Sequence, residues 1–135
     1  MKKNLLKTLC LLLVLLFAFA VVGCTKKVVI DGDFVVITAD TKNVEENATL
    51  IDYMEYLQSE GMLTYEISDG MIISIDGKKG ASNQYWMLYT SDAENSNQAW
   101  GTCEYQGETY DSASLGAQDL PIKDGCIYIW YLQTF

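Results

Sequence analysis

Four Asp-Gly pairs punctuate this chain, at Asp31-Gly32, Asp69-Gly70, Asp76-Gly77 and Asp124-Gly125. Gly enters left-handed backbone without steric cost, and Asp tolerates it while bonding its own backbone, so each pair marks a tight turn. The intervening runs are short. Val28-Val29-Ile30 and Phe34-Val35-Val36-Ile37 flank the first pair and predict strand, turn, strand. Leu63, Tyr65 and Ile67 alternate with polar residues, and Met71 to Ile75 follows the second pair. Both read as strands, as do Tyr85 to Thr90, Trp100 to Tyr105 and Cys126 to Leu132. The segments 78–83, 91–98 and 106–119 read as loops or irregular chain.

One stretch breaks the pattern. Leu50, Met54 and Leu57 recur at helical spacing across Thr49 to Glu60, with Asp52, Glu55 and Glu60 mainly on the other side. Thr49 and Asp52 form a plausible capping pair, and Gly61 is well placed as the stop. Core packing explains that apolar stripe. The expected fold class is α+β, a mixed sheet with a single helix packed on one face. The order of elements resembles a ubiquitin-like β-grasp.

The N-terminus has a different character. Lys2, Lys3 and Lys7 precede an apolar run from Leu9 to Val22, which is short for a bilayer span but suits an export signal. It closes on Val21-Val22-Gly23-Cys24, which resembles the lipobox of bacterial lipoproteins. That resemblance implies cleavage before Cys24, diacylglycerol on its sulfur, palmitate-type acyl chains and residence on the extracytoplasmic face of the bacterial cell membrane. Residues 1–23 are then signal peptide, 24–27 a lipidated tether and 28–135 one domain. Thr25 to Lys27, fully extended, span about 10 Å, so the domain is expected to sit close to the bilayer.

All nine basic residues are lysines, and loss of the first three leaves six against 18 acidic residues, a formal charge of −12. Such a chain cannot neutralise phosphates, so no nucleic-acid partner is expected. There is no histidine, hence no histidine-based metal site, triad or imidazole base. Asp31, Asp33, Asp69 and Asp76 sit at turns for backbone reasons, and Ser82 and Ser91 lack a base. No catalytic residue and no metal ligand is assigned. Asp92, Glu94 and Asn95 are oxygen donors but lack the spacing of a known calcium loop. Cys103 and Cys126 would lie in an oxidising compartment, where a bridge would stabilise by roughly 3 kcal/mol; two unpaired buried thiols are the other outcome.

Aromatic residues make up 12% of the chain. Tyr and Trp combine an apolar face with a polar edge, which suits flat ligands and interfaces as well as cores. Trp86, Trp100, Tyr105, Tyr110, Tyr128 and Trp130 are the candidates. Alternation places Trp86 and Leu88 on one face of their strand and Tyr85, Met87 and Tyr89 on the other.

Five segments in order carry a resemblance: Ala48 to Leu57, Tyr65-Glu66-Ile67, Gly70-Met71-Ile72-Ile73-Ser74-Ile75-Asp76-Gly77, Tyr85-Trp86-Met87-Leu88-Tyr89, and Lys123 to Trp130. Together they resemble the transcobalamin-like C-terminal domain of bacterial surface lipoproteins, which also forms the smaller half of animal intrinsic factor and transcobalamin. The resemblance spans about residues 28–132. It implies a grasp-like α+β fold and a cobalamin or corrinoid ligand, covered on its other side in the animal carriers by a helical-barrel domain. It also implies two contact segments, the turn and strand Asp69, Gly70, Met71 and Ile72, and the strand and loop Trp86, Met87, Leu88, Tyr89, Thr90 and Ser91. Asp69 stands where the carriers have an aromatic. The function expected is capture of a corrinoid or similar small ligand for a membrane transporter, with no cofactor and no catalysis. The alternative is a protein- or glycan-interaction module.

Overall fold

The computed structural model describes residues 26–135; the export signal, Cys24 and Thr25 lie outside the described residues. The fold is mixed α+β. Strands β1 (Val28–Asp31) and β2 (Phe34–Thr38) form the first hairpin. The helix α1 (Leu50–Ser59) follows, then β3 (Tyr65–Ser68), β4 (Met71–Ile75), β5 (Lys78–Lys79), β6 (Gln84–Thr90), β7 (Ser96–Tyr105), β8 (Glu108–Ala113) and β9 (Ile127–Thr134). The main sheet has the order β1-β2-β9-β6-β8-β7, and β3-β4-β5 make a second, three-stranded sheet. Every ladder recorded among these residues is antiparallel.

Two-residue alternation is obeyed on both faces of the main sheet. Val35, Ile37, Trp86, Tyr128, Trp130 and Leu132 point to one side, where they meet Leu50, Tyr53, Met54 and Leu57 of α1. Val36, Tyr89 and Ile129 point to the other, with Phe34, Met87, Ile127 and Tyr131 partly buried around them. The β7–β8 hairpin covers that second face. β8 pairs with β6 only at Tyr89–Ser112 and Thr90–Asp111. The hairpin then folds back, bringing the Tyr105 ring within 5.2 Å of Phe34 and its hydroxyl, as donor, within 3.1 Å of Asp31 Oδ2. Among the described residues, both clusters are built from side chains between Val28 and Leu132.

The helix is tied in at both ends. Thr49 and Asp52 form a reciprocal capping box, with the Thr49 amide donating to Asp52 Oδ2 at 2.8 Å. The next two amides, Leu50 and Ile51, donate to the carbonyls of Leu120 and Ala117 at 2.8 and 2.9 Å. The orphan donors of the first turn thus hold the 116–120 loop against the helix. Gly61, at φ 72°, ends it. The Tyr53 hydroxyl donates to the Thr38 carbonyl and accepts from the Asp40 amide, both at 3.2 Å, locking the helix to the end of β2.

Two turns carry the second sheet. Asp69 and Gly70 have φ of 50° and 78°, and Asp76 and Gly77 have 52° and 77°, the paired positive values that a right-twisted two-residue hairpin requires. The segments expected to be loops differ in part. Lys78–Lys79 add a short edge strand, β7 begins at Ser96, and Glu108–Ala113 is a strand. Their sequences are polar because they are edges or are covered on one side only, so hydrophobic alternation is weak there.

Removing the Thr49 hydroxyl leaves the amide of Asp52 without its cap. Thr49→Ala is expected to lower unfolding free energy by about 1 kcal/mol in urea denaturation.

Candidate functional site

The second sheet leans over one end of the helix-side face, and an open cleft of about 300 Å³ lies between it and β6. Ile67, Gly70, Met71 and Ile72 form one wall, Tyr85, Trp86, Met87 and Leu88 the other, and Gly116, Ala117, Gln118 and Trp130 close it. That volume is at the small end of ligand pockets. Each wall has a structural cause. The Asp69-Gly70 turn delivers Met71 to the mouth, where it is 60% exposed. Trp86 is buried, and its indole N–H donates to the Lys78 carbonyl at 3.0 Å, which pins the short β5 to β6. The 116–118 segment is in place because the helix N-terminus holds its carbonyls.

Of the ten residues the sequence singles out for ligand contact, six border the cleft: Gly70, Met71, Ile72, Trp86, Met87 and Leu88. Met87 also packs against the second cluster. Asp69 is exposed at the turn, outside the wall. Tyr89 is buried on the opposite face, its hydroxyl bonded to Gln133 Oε1. Thr90 Oγ1 donates to the Ile127 carbonyl at 3.0 Å, and Ser91 Oγ accepts from the Ile127 amide at 2.8 Å. Thr90 and Ser91 tie the end of β6 to the start of β9 and Tyr89 reaches Gln133 near its other end, so the polar groups of all three are engaged outside the cleft. Ile67, Tyr85, Gly116, Ala117 and Gln118 are wall residues that sequence reasoning missed; the apolar Leu120-Pro121 pair closing the 116–120 loop is the one local sign that it docks.

Among the aromatic candidates, Tyr128 and Trp130 are core residues that line β9, and Tyr105 and Tyr110 pack on the second face. Burial, together with the bond to Asp31, holds the Tyr105 hydroxyl above its usual pKa, and burial pushes that of Tyr128 up to about 12. Trp130 is 5% exposed, and its indole nitrogen has no hydrogen-bond partner among the described residues. Trp100 is 64% exposed, on a bulge of the edge strand β7 where Gly101 adopts φ 119°. Tyr85 is half exposed beside the cleft and packs against Phe135 at 5.9 Å.

The oxygen cluster at 92–95 surrounds an ammonium group. Lys123 Nζ lies 2.9 Å from Asp92 Oδ1 and 2.6 Å from Glu94 Oε2, and Asn95 Nδ2 donates to Asp92 Oδ2 at 2.8 Å. Among the described residues, no group of three or more His, Cys, Asp or Glu is placed to hold a metal ion, and no helix is long and apolar enough to cross a membrane. Cys103 and Cys126 are both free thiols, Cys103 within the second cluster and Cys126 against the first. Burial pushes the Cys103 thiol up to about 11.

No family model, curated protein or solved structure matches this chain.

Two outcomes test this arrangement. Burial works to raise the Asp92 pKa, but the hydrogen bonds from Asn95, Lys123 and the Glu94 amide outweigh it and hold the carboxyl below its ordinary 3.8. A carboxylate depressed in the folded state stabilises above the unfolded value and loses that contribution as pH falls through the folded one. Urea midpoints compared between the native chain and Asp92→Asn should therefore differ most near neutrality and converge as the pH falls through the depressed folded-state value. For the thiols, native-state alkylation of the reduced protein at about pH 8 should modify Cys126 well before Cys103, because the thiolate is the reacting form; the reverse order contradicts the burial described.

Proposed function

We propose that this protein is a lipid-anchored binding module on the extracytoplasmic face of a bacterial membrane. It captures a cobalamin, corrinoid or similar flat, partly apolar ligand and passes it to a membrane transporter. One observation carries the reading: the turn at Gly70–Ile72 and the strand at Trp86–Leu88, distant in sequence, meet across one apolar cleft. These are the segments that the resemblance to the transcobalamin-like C-terminal domain assigns to ligand contact. A wall of Trp, Leu, Ile and Met supplies apolar area for a flat ring, and the exposed Met71 is an adaptable side chain at the mouth. The anchor is proposed at Cys24, and Lys26, within the tether, is the first described residue. The reading is of binding without turnover.

A second reading, a protein- or glycan-interaction module, is favoured by Trp100, which stands exposed on the edge strand away from the cleft wall. An exposed tryptophan with a polar edge is a common anchor of interfaces.

Titration of the domain with cyanocobalamin, followed by tryptophan fluorescence and calorimetry, separates the two. Binding is expected, weakened about tenfold by Met71→Ser, a loss of about 1.4 kcal/mol, and unchanged by Trp100→Ala. Because Met71 is exposed, the substitution leaves the core untouched. Absence of binding at millimolar cyanocobalamin overturns the corrinoid reading.

A further inference from the structure

The cleft is an uncharged patch on a strongly acidic chain. Of its twelve wall residues none is Asp, Glu or Lys, whereas the sequence has a pI near 4.2. Three charges are next in sequence to the wall: Glu66, before Ile67, which pairs with Lys79, and Asp69, before Gly70, and Asp119, after Gln118, which are both exposed and form no ion pair among the described residues. The cations on this side are already engaged, Lys78 with Asp33 and Lys79 with Glu66. An anion entering the cleft finds no cation in its wall, and the unpaired carboxylates next to it in sequence add repulsion that salt screens.

The wall also offers one accessible amide. The Gln118 side chain makes no hydrogen bond among the described residues and is exposed at the mouth. It lies over the Asp69-Gly70 turn: a Cβ at Gly70 would stand 3.4 Å from Gln118 Oε1. The carboxamide thus stands against the turn, where it can both donate and accept.

We propose that the cleft takes aromatic ligands that carry no negative charge and excludes anions, with the Gln118 carboxamide reading a neutral hydrogen-bonding group at its mouth. This rests on the binding-module reading above but does not require the ligand to be a corrinoid.

The test uses two dyes that share one ring system, N-phenyl-1-naphthylamine, which is neutral, and 1-anilinonaphthalene-8-sulfonate, its sulfonated counterpart, with the domain from Lys26 onward. The neutral dye is expected to bind at least about tenfold tighter, with the gap narrowing as salt screens Asp69 and Asp119. Gln118→Lys should raise affinity for the sulfonate while weakening the neutral dye, whose N–H loses the carboxamide oxygen as its acceptor. Gln118→Leu should weaken the neutral dye about fivefold, the worth of one net hydrogen bond. Equal or tighter binding of the sulfonate, binding of neither dye, or insensitivity to both Gln118 variants overturns the proposal. Binding of the neutral dye alongside failure of cyanocobalamin overturns the corrinoid reading alone.

Discussion

The main sheet is apolar on both faces, and the rest of the molecule follows from covering them. β9 shows the constraint most clearly. Tyr128, Trp130 and Leu132 need cover on one side, and Ile129 with its neighbours Ile127 and Tyr131 needs it on the other. A sheet with one wet face would leave one of these sets in water, at a cost of about 1.5–3 kcal/mol for each large side chain. Among the described residues there is a single α-helix, of about three turns, which covers one face only. The second face is closed by bending the β7–β8 hairpin back over it until Tyr105 reaches Phe34 and Asp31.

The cleft is a by-product of that arrangement. The helix covers the β2 and β9 end of its face, and the small β3-β4-β5 sheet stands over β6. What separates the two is bridged by the 116–120 loop, whose position is dictated by unsatisfied amides at the helix N-terminus. The helix cap and the cleft wall are therefore coupled through the same backbone hydrogen bonds. Burying the Trp86 ring fixes the opposite wall, since its N–H must find an acceptor and finds it on β5.

Local chemistry was legible where one physical effect dominates. The helix from Thr49 to Gly61 follows from capping, period and stop acting together. The Asp-Gly turns follow from the positive φ that few other pairs accept. The split of Trp86 and Leu88 from Met87 and Tyr89 follows from the pleat. β8 was not legible, because Glu108–Ala113 owes its strand conformation to pairing with β7 and β6 and carries little apolar alternation of its own. Tyr89, Thr90 and Ser91 belong to the contact segment that the resemblance implies. Only the β6–β9 register reveals that their polar groups are spent on β9 and Gln133.

By itself, then, the sequence determined the class of the fold, the single helix, the tight turns and which side chains of each strand share a face. These depend on contacts within a few residues, where sterics and periodicity leave little choice. Tertiary structure decided which faces meet, that the second face is closed by a folded-back hairpin, and that Gly116 to Gln118 stand beside Gly70 and Trp86. Those outcomes rest on pairing between residues tens of positions apart, and their energies appear only when the whole sheet is assembled.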